Sequence, residues 1–142
     1  MLALATVAGT VAELAARHHW GESVQLIAWA AVAVLVVAIG LAWTRVDDRT
    51  TRIVRILAAL VMASALIGMV EHVIGNYDVG PLDAVYGDQW ESMSETSRWW
   101  AAVTQAVGPS PALAPGVLVL GSAIVWLATM ARRAAEHARS GS

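Results

Sequence analysis

Cysteine, lysine and phenylalanine are all missing from this 142-residue chain. Without cysteine there is no disulfide, no thiolate metal site and no thiol nucleophile. Charge is scarce as well. Asp, Glu and Arg make up 14% of the residues, and the net charge is -2. A soluble domain carries about 25% charged residues, so this chain has too little polar surface to cover a composition that is 58% hydrophobic. No basic patch interleaved with aromatics is present, which argues against a nucleic-acid partner. Rossmann, P-loop, zinc-protease and EF-hand patterns are missing. There is no internal repeat and no low-complexity tract. The lack of lysine beside abundant Ala, Val, Gly and Arg points to a GC-rich bacterial genome.

What the chain does have is four apolar runs: Leu2 to Ala16, Val24 to Trp43, Ile53 to Ile74 and Pro111 to Ala131. A helix needs about 20 such residues to cross about 30 Å of hydrocarbon. The last three runs meet this, and the first does so only if it continues to Trp20. A signal peptide is disfavoured for the first run, because no basic segment precedes it and Glu13 interrupts it. The reading is an all-α integral membrane protein, a four-transmembrane-helix bundle. Its spans fall at about 2–20, 23–44, 52–75 and 111–131, in one domain over residues 1–139. Residues 140–142 are expected to form a disordered tail.

Arginines set the orientation. Arg45, Arg49, Arg52 and Arg55 lie between the second and third spans, and Arg132, Arg133 and Arg139 follow the fourth; only Arg17 and Arg98 fall on the other side. The positive-inside rule then puts both termini in the cytoplasm. The expected location is the bacterial cytoplasmic (inner) membrane. The tryptophans fall mostly near span ends, where an apolar ring with one N–H donor is at home. Ser110-Pro111 reads as the capped start of the fourth span.

The outer loop, residues 76–110, is too long for a turn. Ser92 and Glu95 have capping-box spacing, and Trp99, Trp100, Val103 and Val107 form a stripe at helical spacing. A short amphipathic surface helix is expected from Ser92 to Ala106.

The third span contains adjacent ionisable residues, Glu71 and His72. Intramembrane charges persist where they face a protein interior or a wet cavity. Ser64, Gly68, Glu71 and Gly75 recur at spacings of four, three and four, so Glu71 is expected on a small-residue face turned toward another helix. On the first span Glu13 and Arg17 are spaced to pair. Glu13 and Glu71 lie at matching depth, with His18, His19 and Glu22 just above. The candidate metal ligands are therefore His18, His19, Glu22, Glu71 and His72, and Glu13 with Arg17 is a candidate proton or ion-pair site. Imidazole and carboxylate together suit zinc, iron or copper. Haem, held by His72 opposite His18 or His19, is the less supported group. A network of ion pairs and hydrogen bonds with no ligand explains the same residues equally well.

The leading functional expectation is a small membrane protein whose outer Glu/His cluster binds a metal ion or proton, serving as an accessory subunit of a larger membrane complex. The alternatives are a structural or assembly subunit without a ligand, and a transporter of protons or small cations. The arginine-side half of the spans is nearly all Ala, Val, Leu and Ile, which counts against a continuous pore. The expected partners are the lipid bilayer and other membrane subunits. No enzymatic motif is present.

Overall fold

The computed structural model describes residues 1–21, 23–44 and 47–140, with the backbone alone at Val24 and His137. Among the described residues all regular structure is helical. The main helices are α1 (Leu2–Ala16), α2 (Leu26–Trp43), α3 (Asp48–Asp78), α4 (Gly87–Trp90), α5 (Glu95–Val103) and α6 (Gly116–Ser140), with single 3-10 turns at Ser23–Gln25 and Gly80–Leu82. The chain divides into two compact units, residues 1–65 with the segment from Val117 onward, and residues 66–116.

In the first unit, α2 is apolar on every side. It buries Ala31, Val32, Leu35, Ala38 and Ile39, while Leu26, Ile27, Val36, Val37 and Trp43 are exposed. Apolar residues facing outward as well as inward suit a helix bathed in lipid. On the part of α3 that belongs to this unit, residues 48–65, the buried residues are Thr51, Val54, Ala58, Val61 and Ala65. Their spacing alternates between three and four, which keeps one seam pointed at its neighbours. Residues of α1, α2, α3 and α6 share a single core cluster.

Close approach is built into that core. A Cβ at Gly121 would stand 2.4 Å from Thr6 Oγ1 and 3.1 Å from Leu35, so α6 needs glycine there to lie against α1 and α2. The α1 threonines satisfy themselves within the helix: Thr6 Oγ1 donates to the Ala3 carbonyl at 2.8 Å, and Thr10 Oγ1 to the Thr6 carbonyl at 2.9 Å.

Three helices, α2, α3 and α6, are long and apolar enough to cross a membrane. The first expected span falls short of that length: α1 has 15 residues, about 22 Å at the helical rise. It stops at Ala16 because the chain turns there. His18 adopts φ 50, its N–H donates to Ala15 and the His19 N–H donates to Leu14. This is the Schellman arrangement, with histidine where glycine is usual. Still, α1 runs antiparallel to α2 along its length. Met1 and Leu2 share a cleft with Ala42 and Trp43, and at the opposite end Trp29 Nε1 donates to the His19 carbonyl at 2.8 Å.

The third and fourth spans also differ from expectation. At 31 residues α3 is longer than expected at both ends; at its start Asp47 Oδ1 accepts from the Thr50 N–H at 2.6 Å and caps it early. That bond holds the Asp47 carboxyl below the usual carboxylate range. Pro111 does not open α6, which begins at Gly116. Pro115 disfavours helical geometry at Ala114, and residues 111–115 instead make turns closed by Ala114 N–H to Pro111 and Gly116 N–H to Leu113. The helix then continues through Ser140, past the expected end near Ala131 and into the expected tail. The rest of that tail lies outside the described residues.

Side chains tie the arginine-rich end of this unit. Arg132 donates to the Ala42 carbonyl at the end of α2. Arg133 Nη2 lies 2.5 Å from Asp48 Oδ1. Arg55 Nε donates to Thr129 Oγ1 at 2.9 Å, and its guanidinium lies 5.8 Å from the centre of the Trp126 ring.

The second unit is a small folded cap rather than one surface helix on a loop. Its core is Trp90, Ala101, Ala102 and Val107, with Val73, Tyr77, Tyr86 and Met93 packed against them. A Cβ at Gly80 would sit 2.3 Å from the Trp90 ring, so the ring lies directly on the glycine. A helix is present where one was expected but shorter, Glu95–Val103, and its cap is Ser94, which accepts from the Ser97 N–H at 3.2 Å. Ser92 is not the cap, because its hydroxyl donates instead to Gln89 at 2.8 Å, closing the turn after α4. The chain leaves α5 through positive φ at Gln105, before Ala106 can extend the helix, and turns again at Gly108.

Candidate functional site

The sequence-predicted site residues fall into both units. Glu13, Arg17, His18 and His19 belong to the first, and Glu71 and His72 to the second. Glu22 lies outside the described residues. In α1, Glu13 Oε1 is 3.5 Å from Arg17 Nε, one turn apart on the same face. His18 occupies the left-handed turn position, with its ring 5.3 Å from that of Trp20. Trp20 in turn lies 6.3 Å from Trp29. The histidine turn is therefore an aromatic end-cap on the α1–α2 pair. Among the described residues, no three His, Asp or Glu side chains gather where they could hold one metal ion.

Glu71 is exposed, contrary to the interior orientation expected of it. The buried seam of α3 runs one residue out of step with the Ser64, Gly68, Glu71, Gly75 stripe. It passes from Ala65 to the half-buried His72 and on to the buried Asn76. Adjacent helical residues are about 100° apart, so placing His72 on the seam turns Glu71 away from it. Glu71 stands instead among exposed Ile67, Val70 and Ile74. Small residues misled the pattern: Gly75 has open space at its Cβ position, while Gly68 packs at 3.6 Å on the Pro115 ring.

The residue that organises this region is Asn76, fully buried at 0% exposure. Its Nδ2 donates to the Ala102 carbonyl at 3.1 Å and to the Ser110 carbonyl at 2.7 Å. Its Oδ1 accepts from the Ser110 N–H at 3.0 Å. One side chain thus ties the end of α3 to α5 and to the segment leading into α6. Its sequence signal was faint: a lone amide one helical turn after His72, where it reads equally well as a helix terminator. Beside it, Tyr77 stacks on Trp99 at 4.2 Å and meets Trp90 edge-on at 5.4 Å. Trp100 is 69% exposed, so of the two adjacent tryptophans it is Trp99 that packs.

Asp83 fixes the first loop of the cap. Its Oδ1 accepts from the Val85 N–H at 2.9 Å and the Tyr86 N–H at 3.0 Å. These bonds, with a further contribution from the Gly108 backbone, hold its carboxyl below the usual range.

The arrangement offers a structured aromatic cap, an exposed carboxylate on an apolar helix face, and an arginine-lined end on the first unit. No protein-family model, curated protein or solved structure matches this chain.

Proposed function

We propose that this chain is a small bacterial inner-membrane protein that serves as an assembly or accessory subunit, joined to its partner through the outer half of α3 and the aromatic cap. The observation that carries this reading is Glu71, exposed among Ile67, Val70 and Ile74 on an apolar helix. An unpaired charge facing hydrocarbon costs about 2.5–3.5 kcal/mol on insertion scales. A cation or hydrogen-bond donor on a partner helix removes that cost. Exposed Trp100 on the cap extends the same apolar invitation, since tryptophan is favoured at interface centres.

In this reading the arginine-rich ends of α2, α3 and α6 face the cytoplasm. The antiparallel packing of α1 on α2 supports an N-terminus on that same side, and so a four-helix membrane bundle in which α1 is the short member.

The test is purification in mild detergent at native expression level. A partner should co-purify at fixed stoichiometry, and Glu71→Leu should release it while leaving this chain folded. If Glu71 faces lipid alone, Glu71→Leu stabilises the isolated chain and releases nothing. The rival reading, a zinc, iron or copper site or a proton site built from the Glu and His residues, predicts metal retained by the purified chain and lost in His72→Ala. Cation uptake into liposomes would favour the transporter alternative.

A further inference from the structure

A second polar feature lies at the arginine-rich end of the first unit. A cleft of about 380 Å³ opens between α3 and α6. Its basic wall carries Arg52, Arg55 and Arg133, with one carboxylate, Asp48, among them. Each arginine is in a different state. Arg133 is drawn to Asp48 at 2.5 Å. Arg55 is fixed by Thr129 through its Nε and by the Trp126 face, which leaves both of its Nη groups without a hydrogen bond among the described residues. Arg52 makes no hydrogen bond or ion pair there at all.

The floor adds an independent observation. Thr51 lines the cleft and is 1% exposed, and its Oγ1 has no hydrogen-bond partner among the described residues. A buried hydroxyl left unpaired costs about 1–3 kcal/mol. It fits a site whose occupant supplies an oxygen acceptor. Two guanidinium groups with free N–H donors match phosphate oxygens in charge and in geometry.

The other wall indicates what carries the phosphate. Ile56 and Ala59 line the cleft further along α3, and Ile56 is 53% exposed. The cleft is therefore basic toward the helix end and apolar toward the middle of the span, the polarity of a phospholipid with its headgroup at the interface. Basic pockets between transmembrane helices are known recognisers of anionic headgroups.

We propose that this cleft binds the phosphate of an anionic phospholipid, with Arg52 and Arg55 on the phosphate, Thr51 donating at the floor, and Ile56 against the first part of an acyl chain. The proposal needs the chain to sit in a membrane but does not depend on the subunit reading, which concerns Glu71 and the cap.

The experiment uses the full chain, delipidated in detergent, titrated separately with phosphatidylglycerol, phosphatidylcholine and inorganic phosphate, with bound molecules counted by native mass spectrometry. Phosphatidylglycerol should saturate at one tight copy, and phosphatidylcholine should bind far more weakly. Arg52→Gln, which removes no hydrogen bond or ion pair among the described residues, should weaken phosphatidylglycerol binding about fivefold, the worth of one basic residue near an anionic surface. Thr51→Val should weaken binding while leaving the unliganded chain at least as stable as the wild type. Arg98→Gln, in the other unit, should leave binding unchanged. Equal binding of the two lipids, or unchanged binding in Arg52→Gln, overturns the site. Saturation by inorganic phosphate with no preference for the lipid overturns the lipid assignment and makes the ligand a free phosphate.

Discussion

Asn76 and Ser110 bind each other reciprocally, the side-chain amide of one against the backbone N–H and carbonyl of the other, at 3.0 Å and 2.7 Å. Both partners approach from opposite ends of the cap, so this pair closes it. The Ala102 carbonyl is held by the same amide. Asn76→Ala would leave these backbone groups without their partner in a buried setting. We expect a loss of about 3 kcal/mol, read as faster proteolysis within residues 80–110 while the first unit stays protected. Unchanged proteolysis there would show that Asn76 does not close the cap.

Gly108 is a second point of failure in the same place. Its φ is +80, and an added Cβ would lie 2.3 Å from Asn76 Oδ1. Gly108→Ala combines a strained backbone with displacement of the buried amide, each worth about 1–3 kcal/mol. The cap should unfold at a lower temperature than in Asn76→Ala, measured by thermal scans of tryptophan emission. A milder effect would mean that the turn shifts to make room.

Acid should loosen the cap through Asp83. Its carboxyl titrates below the ordinary value of 3.8 in the folded chain. A depressed pKa stabilises the fold above the unfolded value, and that stabilisation is lost as pH falls through the folded one. Tryptophan emission should therefore be steady from neutral pH down to about the ordinary carboxylate value and shift below it. Asp83→Asn should be less stable at neutral pH, with a smaller acid-induced change. An identical acid profile in the variant would assign the transition to other carboxylates.

Arg55 and Thr129 should behave as a coupled pair. Arg55→Gln and Thr129→Val each remove the same 2.9 Å hydrogen bond, so their effects on stability should add to more than the double variant shows, by about 1 kcal/mol. Arg55→Gln also removes the Trp126 ring contact, and Thr129→Val also removes the 2.7 Å bond from Thr129 Oγ1 to the Trp126 carbonyl, so each single variant carries a cost of its own beside the shared one. Strict additivity would show the bond to be without energetic weight.

The apolar runs were readable because helices long and apolar enough to cross a membrane announce themselves by length and composition alone, and α2 matches its run almost residue for residue. The ends were harder. His18 takes a left-handed turn that glycine would have signalled, and a histidine gives no such notice. Pro111 looked like a first helical residue, but Pro115 four residues later imposed its own geometry on Ala114. The site was least legible. Choosing between Glu71 and His72 for the buried seam is a matter of one residue in register, about 100° on the helix, and a stripe of small residues pointed to the wrong one. Asn76 carries no pattern at all; its role comes from carbonyls contributed by residues 26 and 34 positions later.

The contact of Gly121 with Thr6 has a consequence in time. The two residues are synthesised at opposite ends of the chain, and at roughly 5–20 residues per second the ribosome needs on the order of 6–23 s to travel between them. During that interval α1 is already made, while the glycine surface that will receive it has not yet emerged. Its threonine-bearing flank has to wait for its partner surface until α6 is made. The missing side chain at Gly121, where a Cβ would stand 2.4 Å from Thr6 Oγ1, is what leaves room for the late-arriving helix to settle against α1.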